Sequence, residues 1–143
     1  MPARGLRIAL AGSSDLAVDR TARHVIPWLL KAESILLRHP KTASRRPGGF
    51  ELMVSKLAAT LGVEVIWCRP EGSEKGNTYI RDLDMVRKAD FAIGYFATDQ
   101  MDGGTGHVVE AAMSCNVPVE GWWIASDGSA TRIGEYDPFK DGP

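Results

Sequence analysis

ADFAIGYF at residues 89–96 and GGTGHVVE at residues 103–110 decide the reading of this chain. The first stretch is an apolar run without polar alternation, as in a strand buried on both faces. The second opens a helix over residues 108–115. A glycine-rich turn between strand and helix lets a backbone approach a ligand closely and aims free N–H groups at an anion. With Thr105 as the N-cap, Glu110 falls about one turn into the helix. Helical side chains lean toward the N-terminus, so its carboxylate would project back over the glycines. A phosphate cradle and a carboxylate then share one crevice, which indicates a nucleotide or nucleoside phosphate more firmly than it indicates a reaction. The plainer alternative is that Glu110 only stabilises the helix start, an effect of ~0.3–1 kcal/mol.

The same alternation extends in both directions. Residues 6–11 (LRIALA) form a first strand closed by Gly12. Val18, Ala22, Val25 and Leu29 make one helical stripe, with Pro27 inside it to kink or open the helix. Residues 34–37 form a short second strand, and residues 39–49 (HPKTASRRPGG) a loop without apolar period. Residues 50–61 read as a helix stopped by Gly62. A third strand spans 63–68, a polar loop 69–77, and a helix capped by Thr78 runs through 88. A fifth strand at 117–124 follows the helix that ends near Asn116. This order predicts an α/β domain over residues 1–124, a five-stranded, mainly parallel sheet with helices on both faces. Residues 125–143 read as a polar C-terminal tail without an element.

Bulk properties set the outer limits. At 143 residues the chain is one ordinary domain, and 17 basic against 18 acidic residues leave a net charge of −1. That balance argues against nucleic acid and anionic membrane as partners. The local exception is Arg38, His39, Lys41, Arg45 and Arg46, either a solvated loop or part of a site. Cys68 and Cys115 have apolar neighbours and read as buried thiols of a reducing compartment. His24, His39 and His107 lack partners at metal-ligand spacing, so neither a metal nor a cofactor is expected. The N-terminus shows no signal pattern and no apolar run reaches membrane-spanning length, so a cytoplasmic location is expected. The spread of apolar residues over the outer helices fits a homodimer or higher homo-oligomer.

In an open parallel sheet, ligands bind outside the carboxyl ends of the strands. The loops there carry Gly12, Ser13, Ser14 and Asp15, then Arg45 and Arg46, then residues 69–77, then Gly103, Gly104, Thr105 and Gly106. Glycine and serine supply donors, arginine grips phosphate bidentately, and carboxylates accept from ribose hydroxyls. Residues 12–15, 44–49 and 102–107 are therefore expected to line one crevice.

GGTGHVVE resembles the GGxGTxxE signature of the SLOG superfamily, the Rossmann-like group that includes the "Lonely guy" phosphoribohydrolases and DNA-processing protein A. The likeness extends to residues 7–14 (RIALAGSS), similar to that family's first strand and turn, and to residues 81–86 (RDLDMV), similar to its arginine-bearing helix. His107 stands where the phosphoribohydrolases have threonine, and Met101-Asp102 where they have proline. The aspartate-glycine turn and following glutamate are also similar to nucleoside 2-deoxyribosyltransferases. The resemblance implies a Rossmann-like fold and a nucleotide-derived ligand. It also implies, as an alternative, cleavage or transfer of an N-glycosidic bond, with Glu110 central and Arg81 or Arg46 holding phosphate. A carboxylate suits that chemistry because positive charge builds on the anomeric carbon. The leading expectation is a binding module whose ligand contacts are residues 12–15, Arg45, Arg46, residues 103–106 and His107. Nucleic-acid binding of the DNA-processing type is a third and weaker reading.

Overall fold

The computed structural model describes residues 5–39, 48–70 and 75–139. Its element order is β1 (Leu6–Gly12), α1 (Val18–Lys31), β2 (Ala32–Arg38), α2 (Gly49–Leu61), β3 (Glu64–Cys68), α3 (Lys75–Arg87), β4 (Phe91–Phe96), α4 (Gly103–Ser114), β5 (Val119–Ile124) and β6 (Ala130–Tyr136). The strands form one sheet in the order β3-β2-β1-β4-β5-β6. β1 to β5 run parallel, and β6 pairs antiparallel with β5.

Period-two geometry sends alternate residues of each strand to opposite faces. Ile8, Leu10, Ile35, Leu37, Ile93 and Tyr95 pack on one side with Val25 and Leu29 of α1 and Phe50, Val54 and Ala58 of α2. Ala9, Ala11, Leu36, Ala92 and Phe96 pack on the other with Met85 and Val86 of α3 and Val108, Val109, Ala111 and Ala112 of α4. Both faces are thus covered by helices, which explains why the central strands are apolar at every position. Burial also pushes the Tyr95 phenol well above its ordinary range, with the Glu120 charge adding to the effect. Its hydroxyl donates to the His24 carbonyl at 3.4 Å.

Three expectations need correction. The sheet has six strands rather than five, because β6 arises in the segment read as a tail. Its composition hid it: ATRIGEY carries an arginine and a glutamate, as suits an edge strand with one wet face. The turn that makes it was readable. Gly128 lies at φ +91, directly after Asp127, and the Ala125 amide donates to the Ser129 carbonyl at 2.9 Å. Second, α3 starts at Lys75, inside the expected loop, so Thr78 is not its cap. Third, α4 starts at Gly103, with Asp102 rather than Thr105 at the N-cap. Helix α1 is not opened at Pro27 and runs through it to Lys31; Pro27 is exposed, so its ring lies on the outer side. No helix among the described residues is long and apolar enough to cross a membrane.

Candidate functional site

The chain runs from β1 outward to β2 and β3, then returns to place β4 on the other side of β1. That reversal opens a crevice between the carboxyl ends of β1 and β4, the place where open α/β sheets bind ligands. A cleft of about 690 Å³ lies there, within the roughly 300–1,000 Å³ usual for small-molecule sites. Its lining brings together Gly12, Ser13, Ser14 and Asp15 after β1, Arg38 and His39 at the end of β2, and Gly48 to Glu51 at the start of α2. Arg81 of α3 and Asp102 to Thr105 at the start of α4 complete it.

Local physics places the glycine turn. Gly103 sits at φ +69, a conformation that disfavours any side chain. Gly104 is tight from below: a Cβ there would lie 3.3 Å from Nη1 of Arg38. The turn is also pinned from behind. The Met101 side chain lies over Gly121 and Gly134, which face each other across β5 and β6. β6, absent from the sequence reading, therefore helps to seat the turn. Asp102 makes no side-chain cap bond, and the first amides of α4, on Gly103, Gly104 and Thr105, have no intrahelical partners and belong to residues that line the cleft. The Gly48 end of α2 is likewise uncapped by its own N-cap residue.

Arg38 is the centre of the polar network. Its Nη2 donates to the Gly12 carbonyl at 3.2 Å, to Glu51 Oε1 at 3.3 Å and to Thr105 Oγ1 at 3.3 Å, so one guanidinium ties β1, α2 and α4 together. The side chains of Arg38 and Glu51 are only 13% and 8% exposed. Arg38 Nε is buried without a hydrogen-bond partner among the described residues. Arg81 forms the far wall: Nη1 donates to the His39 carbonyl at 2.9 Å, and the rest of the group pairs with buried Asp82 at 3.0 Å.

The residues expected from sequence fall into four groups. Gly12, Ser13, Ser14, Asp15, Arg81, Gly103, Gly104 and Thr105 all line the cleft. Gly106 and His107 do not. Gly106 is small because the Met101 carbonyl abuts it. His107 turns toward α3, with Nδ1 2.8 Å from Asp82 Oδ2 and its ring against Tyr79 at 3.9 Å. Glu110 is exposed and outside the lining. Because α4 starts at Gly103, it lies two turns down the helix rather than one. Arg45 and Arg46 lie outside the described residues.

Of the lining residues, Glu51 was not singled out from sequence, and Arg38 was named only within a basic run read as a solvated loop or part of a site. Arg38 was legible as a charge closing the apolar run of β2 at the sheet's carboxyl edge. Glu51 was not: an acid in the first turn of an amphipathic helix reads as ordinary dipole compensation. Among the described residues, no cluster of three or more histidine, cysteine or acidic side chains is arranged to hold a metal ion. Neither a protein-family model nor a curated protein matches the chain.

Proposed function

We propose that the cleft binds a nucleotide, nucleoside phosphate or nucleotide-derived molecule, with its phosphate on the α4 turn and its sugar toward the β1 loop. The observation that carries this reading is the start of α4. Uncapped amides at Gly103, Gly104 and Thr105 open at the sheet's switch point directly above the Arg38 guanidinium. A helix N-terminus attracts negative charge through its free N–H groups and its dipole. An arginine beneath it adds a charge that the protein has already desolvated. Ser13, Ser14 and Asp15 supply donors and an acceptor for hydroxyl groups at the opposite wall.

The likeness of residues 103–110 to the SLOG signature is part of this proposal and agrees with the position of the turn. Binding is preferred to N-glycosidic bond cleavage because Glu110, the carboxylate expected to do that chemistry, is exposed away from the cleft. A panel of nucleoside mono-, di- and triphosphates, read by thermal shift and then by chromatography for released base, tests the choice. A ligand at a hundred times its Kd raises stability by about 2.7 kcal/mol. Stabilisation without free base is the expected result; free base would move the protein to the glycosidase reading, and no stabilisation by any member would remove the nucleotide.

A further inference from the structure

Glu51 stands where a ligand's anionic group would be expected. It is buried on the first turn of α2, lines the cleft and pairs with Arg38. Its second oxygen lies back over the helix start, 3.0 Å from the point a Cβ on Gly48 would occupy. The same carboxylate thus covers the N-terminus of α2 and holds the guanidinium beneath the N-terminus of α4. We propose that Glu51 is an internal anion of the cleft: it engages Arg38 in the empty protein, and a ligand phosphate takes Arg38 only by displacing it. This rests on the anion-binding reading above and adds to it a determinant of which anions enter.

The geometry makes the pair displaceable. All three Arg38 Nη2 contacts are 3.2–3.3 Å, and Nε makes none among the described residues. Charge-assisted bonds of well-seated pairs are shorter, about 2.7–2.9 Å, and arginine forks are used most fully by two parallel bonds. Glu51 uses one. A phosphate dianion above Gly104 offers Arg38 more charge than Glu51 does, together with the α4 amides. A carboxylate ligand offers the same single charge that Glu51 already supplies, so it gains little by entering. The consequence is selectivity for phosphate dianions over carboxylates of similar size, set by Glu51.

The test uses the full chain as wild type, Glu51→Gln and Glu51→Ala, with calorimetric titration of AMP, inorganic phosphate and acetate at pH 8. Removing the competing charge should tighten AMP and phosphate about tenfold or more, the scale of one hydrogen bond to a charged group. It should also narrow their advantage over acetate. Unchanged or weaker AMP binding in variants that fold and unfold cooperatively would show that Glu51 positions Arg38, and would overturn the proposal. Wild type and variants binding none of the three probes would remove the anion-binding reading and this inference together. If the variants do not fold, carbon NMR of the Glu51 carboxyl in wild type decides: its resonance should move as phosphate saturates, and a resonance that stays fixed refutes displacement.

Discussion

Replacing Arg38 by methionine removes the charge that ties three elements together and leaves Glu51 behind. The Glu51 side chain is 8% exposed, so its carboxylate cannot recover its hydration without local rearrangement. Breaking a buried pair from one side costs about 3–5 kcal/mol. The long Nη2 contacts, 3.2–3.3 Å, and the open cleft on one side place this pair at the lower end, about 3 kcal/mol. For a chain of this size that lowers Tm by roughly 10 °C. The double variant Arg38→Met, Glu51→Met removes both charges and fills the same space with apolar atoms. It should lie within about 1 kcal/mol of wild type, because well-packed replacements of buried pairs are often neutral. Urea denaturation of the four proteins gives the coupling energy directly. A coupling of about 2 kcal/mol or more is expected, whereas additivity within about 0.5 kcal/mol would show that the two charges do not depend on each other.

Three further outcomes follow from the same geometry. Gly104→Val places a branched side chain against Arg38 Nη1 and over the α4 amides; it should weaken AMP binding by at least a hundredfold in calorimetry, the loss of one to two charge-assisted bonds, about 3 kcal/mol, with a native circular dichroism spectrum. Glu110→Gln, on the exposed face of α4, should leave AMP affinity within twofold, and a larger loss would return Glu110 to the site. Asp127 is held below the ordinary aspartate range by the Ser129 backbone N–H and hydroxyl. Its contribution to the β5–β6 turn is therefore present above the unfolded aspartate pKa and lost as pH falls through the depressed folded value. The Ser129 amide shift followed by NMR should titrate below the usual aspartate midpoint; a midpoint at or above it would contradict the turn.

The parts legible in sequence were those fixed by one-dimensional pattern. The apolar runs of β1, β4 and β5 and the stripe of α1 identified a parallel sheet covered on both faces. Loops following parallel strands must then meet at one edge, so residues 12–15 and 103–105 were found together. The parts that were not legible depend on what each element packs against. β6 is polar because it is an edge strand, and it forms because Asp127-Gly128 turns the chain back onto β5. The start of α4 was misplaced by three residues, with Thr105 expected at the N-cap and Asp102 found there, because Gly103 and Gly104 are poor helix formers, yet the turn above Arg38 requires them. That shift of three residues carries Glu110 from one turn to two turns into the helix, at an exposed position outside the cleft lining. Arg38 and Glu51, 13 residues apart, meet only once α2 packs beside β2.

The central claim, that the start of α4 holds the phosphate of a nucleotide ligand, is tested most directly by a proton–nitrogen NMR titration of wild-type protein with AMP, and with adenosine as the phosphate-free control. The claim predicts saturable downfield shifts of the Gly103, Gly104 and Thr105 amides with AMP, and much smaller ones at the same amides with adenosine. Saturable AMP shifts that leave those three amides in place, or equal shifts with adenosine, would contradict it.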